Sequence, residues 1–479
     1  MKSRKLWLIL ASLFSLALIA AACGSDDDDG GDDTPPTTAA PAAPASTMAP
    51  ASTMAPTTTM MPSAQAPAVD WRSMDLSGTT VRVFGPESTE EEQGSMEDTL
   101  GVFAERTGIN IEYAGARDFS DQINLQAQAG NPPDIAVFPQ PGKAADFFRD
   151  ELILPLPENI AAAAQANWPA AWNEFGITDG TQHSIPTKSD LKSLVWYQPA
   201  RFEANGYVVP ETWAEFKALV NQMISDGNTP LCVGIESGPA TGWTFTDWIE
   251  DLMLRFQPAS FYDQWVNHDV PFDSPEVQEV WQEVLDLWNT EGAVFASGGS
   301  IASTPFGANG DPLVEGDCMM HRQASFFAAF MPDGTPYADG SEGAVDVFYF
   351  PSLNATERPA LVAGTLVSAF RDAPEVWAVM EYMSTAEYAN ERQKAQQRRN
   401  GGSLSGFLSA AIGQDMDNYL PLEQSFINIL AEANVARFDA SDLMPAAVGA
   451  GTFWTDGTSA VTGEKTVAEA TADIEASWP

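Results

Sequence analysis

The chain is poor in basic residues, in histidine and in cysteine. It has 23 Lys and Arg against 66 Asp and Glu, a formal net charge of −43 at pH 7, and only three His and three Cys. A strongly acidic surface repels phosphate groups, which argues against nucleic acid or an anionic membrane surface as a partner. No two histidines have the spacing of metal ligands, and no glycine-rich phosphate-binding sequence follows the first predicted strand. We therefore expect neither a metal site nor a cofactor.

Common catalytic signatures are missing as well. The chain has no G-x-S-x-G sequence, and a disulfide between its two internal cysteines would leave no Cys–His nucleophile. Asp247 and Glu250 lie three residues apart on a predicted helix, and a glycosidase needs two carboxylates at a set separation. In a chain with 66 acidic residues such pairs arise by chance. A secreted carbohydrate-active hydrolase that uses Asp247 and a second carboxylate is kept as the alternative function.

The uncharged apolar run of the chain lies at its start. A basic head at residues 2–5 precedes the apolar stretch 6–22, and small residues lead up to Cys23. This pattern is typical of a secretory signal and is too short for a comfortable membrane-spanning helix. The segment 20–23 resembles a bacterial lipobox, with Ala where Leu is usual. We predict that residues 1–22 are removed and that Cys23 is lipidated; plain secretion after the same cleavage is the alternative.

Residues 24–69 contain no Lys, no Arg and no aromatic residue. They consist of an Asp-rich start followed by Pro, Ala, Thr, Ser and Met, with ASTMAP repeated at 45–50 and 51–56. Such a stretch cannot bury enough apolar area to offset its ordering entropy. We predict a flexible linker over 23–70 that tethers the folded part to the outer face of the cell membrane.

Cys232 and Cys318 are the remaining cysteines. In an oxidising compartment an even pair bonds more often than it stays free. The sequence therefore predicts a disulfide between them, with two separate buried thiols as the alternative.

Hydrophobic patterns after the linker alternate between strand and helix. The order βαβαβ predicts a parallel sheet covered by helices. The predicted elements are a strand over 80–84, a helix capped by Ser95 and closed at Gly108, a strand over 109–113, a helix over 119–129 and a strand over 134–138. A second unit follows, with a strand near 193–197, a helix capped by Thr212 and another that starts at Ser274-Pro275.

Three tryptophans fall outside the helical stripes. Trp243 and Trp248 flank a predicted loop, and Trp454 follows the glycine-rich segment 449–453. Aromatic faces beside polar groups suit a sugar, because the ring covers its apolar C–H face while the polar groups bind its hydroxyls. Ordinary core packing is the alternative for each tryptophan.

Several segments, in the same order along the chain, resemble the extracellular solute-binding proteins of carbohydrate ABC importers, especially the α-glucoside-binding, maltose-binding-protein-like branch. The resemblance extends from Thr80 to Pro479. It is carried by the segments 130–136, 192–197, 232–238, 246–251, 321–326, 437–439, 444–445 and 474–479.

The resemblance implies an α/β, periplasmic-binding-protein-like fold of two lobes, each a mixed sheet flanked by helices, with a hinge of crossing strands. It places 71–190 and 363–399 in the first lobe and 191–362 and 400–479 in the second. The implied function is that of a non-catalytic, monomeric receptor, which captures an oligosaccharide in the cleft between the lobes. The expected sugar is an α-glucoside, and the expected partner is the importer's membrane permease.

Ligands of open α/β sheets bind at strand ends. On that basis and by the resemblance, the predicted ligand-binding residues are Glu87, Ser88, Asp118, Phe119, Gln140, Asp190, Glu236, Trp243, Asp247, Trp248, Arg322, Gln323, Ser325, Gly364, Thr365 and Trp454.

Overall fold

The computed structural model describes residues 65–479. The predicted signal peptide, the lipidated Cys23 and most of the predicted linker lie outside the described residues. Within them, every helix is too short or too polar to cross a membrane.

The described chain alternates between strands and helices, as the sequence patterns predict. The strands are β1 (Thr80–Gly85), β2 (Asn110–Gly115), β3 (Ile135–Phe138), β4 (Ile177–Thr178), β5 (Thr181–Gln182), β6 (Ser184–Leu191), β7 (Leu194–Tyr197), β8 (Leu231–Cys232), β9 (Val294–Phe295), β10 (Met320–Arg322), β11 (Asp346–Tyr349), β12 (Pro359–Ala369) and β13 (Val435–Phe438).

Helices cover both sheets. They are α1 (Glu90–Thr107), α2 (Phe119–Gln128), α3 (Pro141–Arg149), α4 (Glu158–Asn167), α5 (Ala170–Asn173), α6 (Pro199–Asn205), α7 (Trp213–Ser225), α8 (Trp243–Phe256), α9 (Ala259–Val266), α10 (Pro275–Asn289), α11 (Gly310–Glu315), α12 (Pro374–Met383), α13 (Ala386–Arg399), α14 (Pro421–Glu432), α15 (Ala440–Leu443), α16 (Phe453–Thr462) and α17 (Val467–Ala476). Short 3-10 turns lie at Trp71–Ser73, Glu174–Gly176, Gly238–Ala240, Ile301–Ser303, Phe306–Asn309, Ser325–Phe330 and Met416–Asn418, and a π turn at Val448–Thr452.

The first sheet has the order β13-β12-β3-β1-β2, with β6 also paired to β12. Strands β1, β2 and β3 run parallel, as the βαβαβ pattern predicts. Strand β12 is antiparallel to β3 and β6 and parallel to β13, so the sheet is mixed. All eleven residues of β12 are buried, which fits a central strand.

The second sheet has the order β11-β7-β10-β8-β9 and is mixed too. Strand β7 is antiparallel to β10 and β11, whereas β8 is parallel to β9 and β10. The predicted disulfide is confirmed: Cys232 at the end of β8 is bonded to Cys318 just before β10, with the Cα atoms 5.5 Å apart. It joins two neighbouring strands of this sheet.

Two connections carry the chain between the sheets. The short link from β6 to β7 contains Lys192 and Ser193, and the return runs from β11 to β12. Two hydrogen bonds join these connecting segments: Lys192 N donates to Leu361 O at 2.9 Å, and Leu361 N donates to Ser193 Oγ at 2.9 Å. The α/β fold of two mixed sheets is confirmed. The lobe boundaries stay a prediction, although β13 places part of 400–479 in the first sheet.

Two helix starts differ from the predictions. Helix α1 begins at Glu90, because Thr89 and Glu92 form a capping box one turn before Ser95, whose side chain is buried against Gln396. The predicted loop after Gly242 is the start of α8. Its first residues are threonine and aromatic residues with modest helix propensity, but burial on nearly every side holds them in a helix.

Candidate ligand-binding site

A cavity of about 170 Å³ lies between the two sheets, where the ends of strands from the first sheet face helices packed on the second. Glu87 follows β1, Gln140 follows β3, and Asp190 is the last residue but one of β6. From the other side, α8 contributes Trp243 and α16 contributes Trp454. The cavity therefore forms at the strand ends where open α/β sheets bind ligands.

Aromatic rings form much of the cavity wall. The Trp243 ring packs edge-on against Phe306 with ring centres 4.9 Å apart, and Phe326 lies 6.0 Å away. Trp454 forms no ring–ring pair among the described residues, and its buried Nε1 has no hydrogen-bond partner there. An indole that lines a cavity and has an unpartnered N–H can both stack on a ligand and donate to it.

Charged side chains from the first sheet form a paired group on one wall. Lys188 Nζ lies 3.4 Å from Asp190 Oδ2 and 3.7 Å from Glu87 Oε1, and Arg392 Nη2 lies 2.9 Å from Glu87 Oε2. Burial would raise the pKa of Glu87, but Arg392 and Lys188 outweigh burial and hold it below its usual value. Asp190 Oδ1 is buried without a partner among the described residues, so it is available to accept from a ligand.

A second charged group forms the floor of the cavity. Lys192 Nζ donates to Asp247 Oδ1 at 2.6 Å and also to Asp439. Arg322 lies behind it, 3.3 Å from Asp247 Oδ2 and 2.8 Å from Asp251 Oδ2. Burial would lower the pKa of Lys192, but the carboxylates of Asp247 and Asp439 outweigh it and hold the pKa well above its usual value. The side chains of the floor are therefore linked to one another by hydrogen bonds and ion pairs.

Glu250 and Asp442 lie beside this floor and have no ion pair among the described residues. Burial, helped by the charge of Asp439, raises the pKa of Glu250 and of Asp442 well above the usual range. Burial also raises the pKa of Asp247 to about 7, against the pull of Lys192. The raised pKa values favour the neutral form of Glu250 and Asp442, and this limits the net charge of the buried group.

Three of these residues bring carboxyl oxygens together as the ligands of a metal ion would be. Ligand oxygens of Asp247, Glu250 and Asp439 lie within 4.8 Å of one another. However, Lys192 already donates to two of the three residues. The ammonium group therefore occupies the position that a cation would take.

Eight of the sixteen predicted ligand-binding residues line the cavity together: Glu87, Gln140, Asp190, Trp243, Asp247, Gly364, Thr365 and Trp454. Asp118 and Phe119 line a second, adjoining cavity of about 360 Å³. Asp118 and Glu236 line a third, more open one of about 350 Å³.

The other five do not line these cavities. Trp248 is a core residue, packed edge-on against Trp288 at 5.7 Å and Phe350 at 5.3 Å. Arg322 is buried behind Asp247, as described above. Gln323 Oε1 accepts from Ala324 N at 2.8 Å, Ser325 Oγ accepts from Leu191 N at 3.2 Å, and Ser88 N donates to Glu92 Oε2 at 3.2 Å.

Several cavity residues were not among the predictions: Arg117, Lys188, Lys192, Phe306, Phe326 and Asp442. Lys188 could have been found, since it lies two residues from Asp190 on the same strand and so shares its face of the sheet. Lys192 begins one of the segments that carry the family resemblance. Phe306 and Phe326 lie in short 3-10 turns, and no periodic signal marks them.

Comparison with known proteins defines the class of this fold and site. The model of the family "Bacterial extracellular solute-binding protein" matches residues 85–390. The chain belongs to this family of bacterial extracellular solute-binding proteins.

Two relatives are similar over most of their length. The osmoprotective compounds-binding protein GgtB of Synechocystis sp. is 37% identical, covering 81% of this chain and 90% of its own. The alpha-glucosides-binding periplasmic protein AglE of Rhizobium meliloti is 37% identical, covering 84% of this chain and 88% of its own. Among solved structures, the solute receptor AcbH has a TM-score of 0.69 at 17% identity, over 83% of this chain and 97% of AcbH. RafE in complex with raffinose has a TM-score of 0.64 at 16% identity, over 84% of this chain and 98% of RafE.

The family settles the question of catalysis, since its members bind solutes and are not enzymes. The alternative of a hydrolase that uses Asp247 is not supported. The structure supplies the physical reason: Lys192 and Arg322 engage both oxygens of the Asp247 carboxylate, which is therefore not free to act on a glycosidic bond.

Proposed function

We propose that this protein is the sugar-binding receptor of an ABC importer and that it captures an α-glucoside in the cavity between its two sheets. The observation that carries this proposal is the pairing of a free indole with a free carboxylate oxygen. Trp454 offers an unpartnered Nε1, and Asp190 offers an unpartnered Oδ1 in the same cavity. A sugar presents both an apolar ring face and hydroxyl groups, so it satisfies both features.

The charges of the cavity favour a neutral ligand over an ionic one. Lys188 is shared between Glu87 and Asp190, Lys192 is shared between Asp247 and Asp439, and Arg117 Nη2 lies 2.8 Å from Glu92 Oε2. Paired charges still accept and donate hydrogen bonds, and such bonds to hydroxyls are strong. The name of AglE, an alpha-glucosides-binding protein, supports an α-glucoside as the ligand.

The remaining parts of the proposal concern where the receptor works. We infer that Cys23 carries a lipid that anchors a monomeric receptor to the outer face of the membrane, beside a permease that accepts the sugar. In a Cys23→Ala variant the protein should move from the membrane fraction to the medium. If it stays membrane-bound with residues 1–22 uncut, the lipidation proposal fails.

Isothermal titration with maltose, trehalose and sucrose tests the binding function. At least one of them should bind saturably, one per chain, and chromatography after long incubation should recover the intact sugar. Asp190→Asn should weaken binding by about tenfold, the effect expected when a charged acceptor is lost. The control Asp226→Asn changes an exposed carboxylate beyond the end of α7 and should bind as the wild type does. Absence of binding to every sugar would contradict the proposal.

A further inference from the structure

The two tryptophans of the cavity lie on helices whose N-terminal ends contact each other. Trp243 is the first residue of α8, and Trp454 is the second residue of α16. Both line the cavity of about 170 Å³. Because the two tryptophans are far apart in sequence, the separation of their indoles depends on how α8 packs against α16.

Gly242 forms the tightest part of this contact. It is the N-cap of α8, directly before Trp243, and its backbone has a φ of 111°. A Cβ atom at this position would lie 2.3 Å from the carbonyl oxygen of Trp454 and 2.9 Å from Oγ1 of Thr458. The backbone conformation favours glycine, and the space beside it excludes a side chain. Gly242 is therefore covalently joined to one tryptophan and packed against the backbone of the other.

Thr458 completes the contact from the side of α16. Its Oγ1 lies 2.8 Å from the carbonyl oxygen of Trp454 and 3.4 Å from that of Thr241. The hydroxyl group has one proton and donates it to one of these two carbonyl oxygens at a time. Since Thr241 directly precedes Gly242, the hydroxyl lies between the turn before α8 and the backbone of Trp454.

The indole of Trp454 has little else to fix it. Phe453, the residue before it, holds α16 in the core, stacked on Trp281 at 5.7 Å and edge-on to Phe272 at 4.9 Å. Trp454 Nε1, by contrast, has no hydrogen-bond partner among residues 65–479. The position of this indole therefore follows from the backbone that carries it, and Gly242 and Thr458 contact that backbone.

We propose that Gly242 and Thr458 are positioning residues, which hold Trp454 at a set separation from Trp243 and so determine the affinity of the cavity for its ligand. They act through Trp454 and need not touch the ligand. This inference rests on the proposed sugar-binding function. A side chain at position 242 would push the N-terminal end of α16 away from α8. A gap of about 0.5–1 Å already removes a quarter to a half of the dispersion energy of a contact, so a small displacement weakens stacking.

A double-mutant cycle tests the positioning role. Gly242→Ala and Thr458→Val are titrated with maltose, trehalose and sucrose, each variant with Trp454 and in a Trp454→Ala background. With Trp454 present, we expect Gly242→Ala to weaken binding about tenfold and Thr458→Val about threefold; in the Trp454→Ala background each should cost less than about twofold. Thr458→Ser keeps the hydroxyl group and should bind within about twofold of the wild type.

Gly227→Ala is the matched control for backbone strain. Gly227, which follows α7, also has a positive φ, of 84°, but an added Cβ there would meet no atom within 4 Å. This variant should melt at a lower temperature and bind sugar as the wild type does. If Gly242→Ala does not fold, or Trp454→Ala binds too weakly to titrate, the comparison of Thr458→Val with Thr458→Ser decides, since only the first should lose affinity.

Four results would overturn the positioning role and leave the proposed function intact. They are unchanged affinity in folded Gly242→Ala, equal losses with and without Trp454, a Gly227→Ala variant that loses as much affinity as Gly242→Ala, and a Thr458→Ser variant that binds as weakly as Thr458→Val. The wild-type titration identifies a failure of the proposed function separately. If the wild type binds none of the sugars, the proposed function fails and the positioning role fails with it.

Discussion

The ammonium group of Lys192 lies 5.5 Å from the centre of the Trp243 ring while it donates to Asp247 Oδ1 at 2.6 Å. One side chain thus connects the aromatic wall of the cavity with the buried carboxylates beneath it. A cation at this distance from an indole is attracted to the ring face, and more strongly when water is excluded. The orientation of Trp243 is therefore coupled to the integrity of the charged floor.

Replacing Lys192 with Met should destabilise the protein strongly at neutral pH. It leaves Asp247 and Asp439 buried without their cation, and breaking a buried pair costs about 3–5 kcal/mol. In the wild type Lys192 helps to hold the pKa of Asp439 well below its usual value despite burial. Without Lys192 that pKa rises, so the carboxyl takes up a proton as the pH falls, and the stability difference from the wild type shrinks between pH 7 and pH 4.

Urea unfolding of Lys192→Met at pH 7 and pH 5 measures this difference. Lys217→Met is the matched control, because Lys217 pairs with Glu283 at a partly exposed site, where an ion pair contributes less than about 1 kcal/mol. A deficit of the same size at both pH values would mean that loss of packing, and not unpaired charge, explains the effect.

Trp454 and Trp248 should respond in opposite ways to truncation. Trp454→Ala removes a platform in the cavity and should weaken sugar binding by about 1–3 kcal/mol, roughly ten- to a hundredfold. Trp248→Ala opens a hole in the core and should cost about 3–5 kcal/mol of folding free energy while the folded fraction binds normally. Titration with sugar and thermal melting of both variants distinguish the binding role from the packing role. Unchanged affinity with a collapsed melting temperature in Trp454→Ala would assign Trp454 to packing.

Local sequence patterns predicted the helices and strands of the first lobe because each of these elements has its own sequence signal. Strand β1 ends at Gly85 before a proline, and Gly108 closes α1 in the left-handed conformation, with φ of 73°. Residues at the ends of these strands reach the cavity for the same reason, since parallel strands present their carboxyl ends at one edge. Glu87, Gln140 and Asp190 were predicted from this rule together with the family resemblance.

The predicted binding residues that the structure does not bring to the cavity are placed by long-range packing. Trp243 and Trp248 lie five residues apart on α8, a spacing that turns Trp248 to a different face of the helix and into the core. The close approach of Gly242 to the backbone carbonyl of Trp454 brings α8 against α16. No local sequence pattern predicts such a contact, because it joins positions more than two hundred residues apart.

Glu250→Gln and Asp251→Asn should differ sharply although the two residues are neighbours. Burial raises the pKa of Glu250 well above its usual value, so the wild type loses stability as the pH rises past the range where an unfolded glutamate ionises. Glutamine keeps the acceptor for Ser441 N, 3.0 Å away in the wild type, and does not titrate. Relative to the wild type, Glu250→Gln should gain stability with rising pH, by at most about 1.4 kcal/mol per pH unit.

Asp251 offers the contrast, because it is fully buried between Arg255 and Arg322. Asp251→Asn should cost about 3–5 kcal/mol, since it leaves buried guanidinium groups short of a counter-charge. Unfolding free energies of both variants and the wild type at pH 5 and pH 8 provide the test. A relative stability of Glu250→Gln that does not rise between pH 5 and pH 8 would show that Glu250 is already ionised in the folded protein.

The disulfide should contribute most of its stabilisation by restricting the unfolded chain. Cys232 and Cys318 are 86 residues apart in sequence, and closing a loop of that size is worth about 4–5 kcal/mol in the chain-entropy model. A Cys232→Ser, Cys318→Ser variant should therefore unfold at lower urea, with sugar affinity retained, because the bond lies beside β10 and does not line the cavity. Thiol counting on denatured, unreduced Cys23→Ala protein should find no free thiol. Two free thiols there, or a double variant as stable as the wild type, would contradict a stabilising bond.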